Sequence, residues 1–145
     1  MIRWTALSFA VLGISQYAHA ETLPGPIPAD LVRIVDGDTV RVRAHVWINQ
    51  SVEISVRIAG IDAPEIARPD CIAERRKADE AKAEVAELIG NDMVALHNVR
   101  LGKYAGRVIA DIETATGLNI GSELMAQNLA EPEDSRIGWC PSPSD

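Results

Sequence analysis

Apolar and polar residues alternate with period two along two stretches of this chain. Val40, Val42, Ala44 and Val46 share one face, with Arg41, Arg43 and His45 on the other. Val52, Ile54, Val56 and Ile58 repeat the pattern against Glu53, Ser55 and Arg57. Alternation of this kind predicts two half-buried strands. Leu31 to Val35 makes a third strand before them, turning at Asp36-Gly37, a strong hairpin dipeptide. Over 72–89 the spacing becomes helical, with apolar positions at Ala78, Ala81, Val85 and Leu88 or Ile89, and Gly90-Asn91 supplies the stop. Strand-like runs follow at 93–99 and 107–112. A short second helix is predicted over 119–130, with Pro132 just past its end. Three strands, a helix, two strands and a helix suit a small closed barrel better than a parallel α/β sheet.

The termini differ from this core. Residues 1–20 carry Arg3, an apolar stretch from Trp4 to Ile14 and the small-x-small triplet Ala18-His19-Ala20. That is the layout of a signal peptide, and the apolar run falls short of the roughly 20 residues that span a bilayer. An uncleaved anchor or a buried N-terminal helix is the alternative. Residues 21–30 read as an extended leader, rich in proline at its start, and 131–145 as a Pro/Ser-containing tail. Export to a periplasmic or extracellular compartment makes Cys71 and Cys140 a candidate disulfide, tying the tail to the middle of the chain. Two buried free thiols are the other reading of that pair.

Composition then sets limits. With 145 residues the chain is one domain, large enough to bury a core without a dense disulfide framework. Its net charge of −7, from 14 basic and 21 acidic side chains, argues against a histone-like or polybasic membrane-binding protein. That charge is uneven. Residues 111–145 hold one basic and seven acidic side chains, a balance of −6, while 93–110 contain Arg100, Lys103 and Arg107 and no acid.

Three segments carry candidate chemistry. They are Asp36-Gly37-Asp38-Thr39, then Arg57 followed by Asp62-Ala63-Pro64-Glu65, then Lys103-Tyr104-Ala105-Gly106-Arg107. Asp38, Asp62 and Glu65 place three carboxylates at strand ends or in loops with no histidine nearby. Hard oxygen ligands of this kind suit Ca²⁺ or Mg²⁺ rather than zinc. Arg57 and Arg107 add guanidinium groups able to grip phosphate oxygens bidentately and offset charge building on phosphorus.

In this order and approximate spacing, VRIVDGDTVRV, VRIAGIDAPEI and KYAGRVIADI resemble a staphylococcal-nuclease-like (thermonuclease) domain, from about Leu31 to Ala130. The resemblance implies a mainly β fold with helices, an OB-fold five-stranded barrel with two helices packed on it. It implies a Ca²⁺ site formed by Asp38, Asp62 and the main-chain carbonyl of Ala63, where the family usually has threonine, with Asp36 behind it. It gives Glu65 the part of general base, Arg57 and Arg107 that of gripping the phosphate in the transition state, and Lys103 and Tyr104 contacts to a neighbouring nucleotide. Ala105 lengthens the usual Lys-Tyr-Gly-Arg run by one residue, and the tail after Ala130 replaces a longer helical end.

The expected function is a secreted Ca²⁺-dependent hydrolase, an endonuclease of the thermonuclease type. It would cleave phosphodiester bonds of DNA and RNA with little sequence specificity and leave 3′-phosphate ends. The expected partner is nucleic acid as substrate, with no membrane after signal cleavage, no protein partner implied and a monomeric state. A non-catalytic OB-fold module that binds single-stranded nucleic acid or another ligand, and a secreted interaction domain with acidic surfaces, are the competing classes. His45, His97, Trp47 and Trp139 read as surface, edge or packing residues.

Overall fold

The computed structural model describes residues 22–135 and 137–141; the signal-peptide reading of 1–20 lies outside them. Eight strands and two helices follow in the order β1 (Thr22–Leu23), β2 (Ile27–Ile34), β3 (Thr39–Trp47), β4 (Gln50–Ile58), β5 (Ile61–Asp62), α1 (Ile72–Ile89), β6 (Val94–Leu101), β7 (Arg107–Glu113), α2 (Ile120–Ala126) and β8 (Glu131–Pro132). Strands β2, β3 and β4 form an antiparallel meander, and β4 then pairs in parallel with β7. Strand β7 pairs with β6, and β6 returns to β2, so the sheet closes on itself as a five-stranded barrel. Closure leaves few free strand edges. The architecture is mainly β with two helices, an OB-fold barrel.

The barrel interior is built by the period-two positions. Val40, Val42, Val56, Ile58, Leu96, Ala110 and Ile112 are buried, and their strand neighbours Arg41, Arg43 and Arg57 point outward. Helix α1 lies against β2 and α2, burying Ala78, Ala81, Val85 and Ile89 along one stripe. Those small residues let the helix approach closely.

Gly37 shows how closely. A Cβ there would lie 2.7 Å from Ala81 Cβ and 2.9 Å from Ala63 Cβ. The Asp36–Asp38 turn is therefore pressed between α1 and the segment after β5, and a larger residue at 37 would push the two carboxylates out of place.

Two segments end differently from the sequence expectation. The second helix stops at Ala126 rather than 130. Asn128 takes φ 57°, the left-handed conformation that closes helices, and the Leu129 N–H donates to the Leu124 carbonyl at 2.8 Å. After that reversal Leu129 and Ala130 are buried in the core, which is why their apolar character continued the helical pattern. The leader is also paired: Thr22–Leu23 with β6, and Ile27–Pro28 with the other end of β6. Beyond α2, Glu131–Pro132 pairs with Ile61–Asp62, and a Cys71–Cys140 disulfide ties the tail to the start of α1. No helix among the described residues is long and apolar enough to cross a membrane.

The bridge closes a loop across 69 positions of sequence. Reducing it, or replacing both cysteines by serine, lowers the unfolding free energy by about 4 kcal/mol on the loop-closure model. Urea denaturation of oxidised and reduced protein reads this directly. A loss below about 1 kcal/mol would show that the other contacts of the tail hold it unaided.

Candidate active site at one end of the barrel

The first two segments carrying the expected chemistry meet where β3 begins and β4 ends, and Arg107 of the third lies on the strand beside β4. Asp38 closes the β2–β3 turn and is 5 % exposed. Its Oδ1 accepts from the Thr39 hydroxyl at 2.8 Å, and its Oδ2 from the Ala63 N–H at 3.1 Å. Arg57 sits opposite Thr39 on β4. One guanidinium nitrogen donates to Asp38 Oδ2 at 2.7 Å and the other to Asp62 Oδ1 at 2.8 Å and the Ile61 carbonyl at 3.3 Å. The planar fork therefore draws together a buried carboxylate and an exposed one. Burial opposes the charge on Arg57, but Asp38 and Asp62 outweigh it and hold its pKa above the ordinary value.

The surrounding charge is unbalanced. Asp36 lies beneath, its Oδ1 accepting the Asp38 N–H at 3.2 Å. Burial first, and then the neighbouring Asp38 and Glu65 carboxylates, push its pKa up to about 6. Four carboxylates, of Asp36, Asp38, Asp62 and Glu65, thus share this region, and Arg57 is the cation paired with them. Such a surplus, with exposed oxygens on Asp62, fits a hard divalent cation. Among the described residues no three His, Cys, Asp or Glu side chains stand together at metal-binding spacing. A cation here would need main-chain carbonyl or water oxygens to complete its shell, as Ca²⁺ accepts.

Glu65 is exposed in the loop between β5 and α1. Its backbone N–H donates to Glu74 Oε1 at 3.1 Å, while the Asp70 N–H donates to Glu74 Oε2. Glu74, 6 % exposed, is in the first turn of α1, where the helix dipole favours a carboxylate. It clamps both ends of the loop that carries Glu65. The apolar spacing of 72–89 does not single it out, although Cys71-x-x-Glu74 has the spacing of a capping box with cysteine in place of serine. The Cys71 sulfur does accept the Glu74 N–H at 3.4 Å.

Arg107 lies opposite Ser55 on the strand beside β4. It therefore shares the outer face of Arg57, two residues further along. Among the described residues it makes no ion pair. Lys103 and Tyr104 occupy the exposed β6–β7 turn, with the Lys103 ammonium 5.8 Å from the Tyr104 ring centre. Ala105 is absorbed within that turn, where the Arg107 N–H donates to the Tyr104 carbonyl at 3.3 Å. On the other side a cavity of about 360 Å³ opens beside Asp62 and Glu65, lined further by Asp70, Glu74, Glu131 and Trp139. Trp139 lies at this cavity, its ring 5.5 Å from the Lys77 ammonium, instead of packing in the barrel. The disulfide and the β5–β8 pairing bring this tail residue here.

Closed OB barrels include oligonucleotide and oligosaccharide binders, and this one carries carboxylates beside Arg57, with Arg107 on the neighbouring strand. The family model described as staphylococcal nuclease homologue matches residues 55–136, and the chain belongs to that family. No curated protein matches it. The matched span holds Arg57, Asp62, Glu65 and Arg107; Asp36 and Asp38 precede it and are tied in by Arg57 and the Ala63 N–H. Members of the family are in general nucleases, so the chain's function is of the nuclease or nucleic-acid-binding type.

Asp36 gives this site a pH signature. Its native pKa of about 6 lies above the ordinary 3.8, so its contribution to stability is complete below the lower value and lost as pH rises through the higher. In chelator, Asp36→Asn raises the thermal midpoint at pH 7.5 by about 3 °C, and the gap closes by about pH 4. Equal midpoints for the two proteins across that range would contradict the burial of a carboxylate among carboxylates.

Proposed function

We propose that this protein is an exported Ca²⁺-dependent endonuclease that hydrolyses phosphodiester bonds of DNA and RNA with little sequence specificity. The observation that carries the reading is the Arg57 fork holding Asp38 and Asp62 together, with Glu65 beside them and Arg107 on the same face. Asp38, Asp62 and the main-chain carbonyl of Ala63 would hold Ca²⁺. Bound there, Ca²⁺ supplies positive charge that polarises the scissile phosphate.

The chain's own side chains do the rest. Arg57 and Arg107 grip non-bridging oxygens and offset the charge that grows as phosphorus becomes five-coordinate. Glu65 accepts a proton from the attacking water and orients it in line with the bond to be broken. The bond to the 5′ oxygen breaks opposite the incoming water, and Arg107 stabilises that leaving oxygen, so the products carry 3′-phosphate ends. Lys103 and Tyr104 meet the adjoining nucleotide, Tyr104 through its exposed ring. The nuclease unit is the 31–130 segment together with the paired leader 22–30, residues 1–20 are a cleaved signal peptide, and the mature chain works as a monomer.

The test is cleavage of single- and double-stranded DNA and of RNA by the mature protein, with Ca²⁺ or with chelator. Cleavage is expected in Ca²⁺ and absent in chelator. Glu65→Gln lowers kcat by about 100-fold or more, within the range a positioned base contributes. Binding without cleavage would assign the chain to the non-catalytic OB-fold modules. Cleavage that ignores both chelator and Glu65→Gln would overturn the mechanism.

A further inference from the structure

Five of the chain's eleven arginines lie at outward positions on four successive strands of the barrel. Residues 39–45 of β3 alternate, with Val40, Val42 and Ala44 buried, so Arg41 and Arg43 face out with Arg57 and Ser55 of β4. The strand registers then set Arg33 opposite Arg41, Arg41 opposite Ser55, and Ser55 opposite Arg107. One lateral row thus crosses four strands, with arginine on β2, β3 and β7 and serine on β4. Arg33 reaches this face through an irregularity in β2. The register shifts between Leu31 and Arg33, leaving Val32 as an extra residue, 40 % exposed.

The charge on this face is not cancelled. Arg41 pairs with Glu53 at 2.7 Å and Arg43 with the same carboxylate at 3.8 Å. The hydrogen bond from Arg41, opposed by slight burial and reinforced by the charges of Arg41, Arg43 and Arg33, keeps Glu53 below its ordinary pKa. Three arginines therefore surround one carboxylate. Of the other outward acids, Asp30 is bound to His45 at 2.8 Å, and Asp111, further along β7, accepts from the Asn98 amide at 2.8 Å. In a chain of net charge −7, such a surplus beside the active site marks a surface for polyanions. Three steps between strands make the row about 14 Å long, room for several stacked nucleotides.

We infer that Arg33, Arg41 and Arg43 form a track for the polynucleotide backbone, leading away from the scissile phosphate at Arg57 and Arg107. This rests on the nuclease reading above and adds which residues of this chain hold the phosphates outside the reacting one. The track contacts phosphates only, so it confers affinity without sequence preference.

The experiment compares the wild-type protein with the Arg33→Gln/Arg41→Gln/Arg43→Gln variant on long single-stranded DNA and on a dinucleotide. On the polymer, KM rises about tenfold at moderate salt and the slope of log KM against log salt falls by about 2, for three phosphate contacts. The kcat on both substrates and the KM for the dinucleotide stay as they were. The corresponding triple lysine variant restores the slope, since lysine also neutralises phosphate, and Glu53→Gln lowers the polymer KM. An unchanged polymer KM and slope, or an equal loss on the dinucleotide, would overturn the track. Binding of a labelled 12-nucleotide strand in Ca²⁺, read by fluorescence anisotropy in the Glu65→Gln background, separates this inference from the nuclease reading. If the wild-type protein cleaves nothing, weaker binding by the triple variant still upholds the track, and equal binding refutes it.

Discussion

The rest of the site depends on the ion triad of Arg57 with Asp38 and Asp62. Asp38 is nearly buried, and a buried carboxylate without a partner costs several kcal/mol. Arg57 offsets that cost, and the Thr39 hydroxyl and Ala63 N–H each donate to one oxygen of Asp38. In doing so the guanidinium joins three separate pieces of chain: the β2–β3 turn, the end of β4 and the short β5. Strand β5 is in turn held by β8 and so by the disulfide-tethered tail. The barrel provides a rigid wall from which Arg57 reaches, and Gly37 allows the turn to sit close enough to be reached.

The carboxylates around that triad are mutually repulsive, and Asp36 records the repulsion in its raised pKa. A fold does not ordinarily keep such an arrangement for stability alone. Glu74 is the contrasting case, a buried carboxylate whose two oxygens both have donors. It is buried at the helix N-terminus to hold two loop amides, fixing the segment that presents Glu65. Local stability is given up at one end of the barrel so that acids, arginines and a shaped cavity can share it.

Much of this was legible in the sequence, for identifiable reasons. The barrel strands and α1 have strong periodicity because each has one buried side, and Asp38, Arg57, Asp62 and Glu65 stand in motifs whose spacing survives in the linear text. The end of α2 was not legible, because an asparagine in a left-handed conformation reads as an ordinary polar residue. Trp139 became visible only through the β5–β8 pairing and the Cys71–Cys140 bridge. The arginine row was hidden for a different reason. It depends on a parallel pairing between strands separated by a helix, and on a one-residue irregularity in β2. The acids are concentrated in α1, in residues 111–145 and around the proposed metal ligands, while arginines occupy outward positions on β2, β3, β4 and β7.

In the proposed nuclease reaction, phosphodiester cleavage depends on the forked geometry of Arg57 and not on its charge alone. Arg57→Lys keeps the charge and discards the fork, so it isolates that point. Single-turnover cleavage of DNA in saturating Ca²⁺ should fall by about 100-fold or more while circular dichroism shows an intact fold. A rate within about twofold of wild type, from a folded Arg57→Lys protein, would contradict the account.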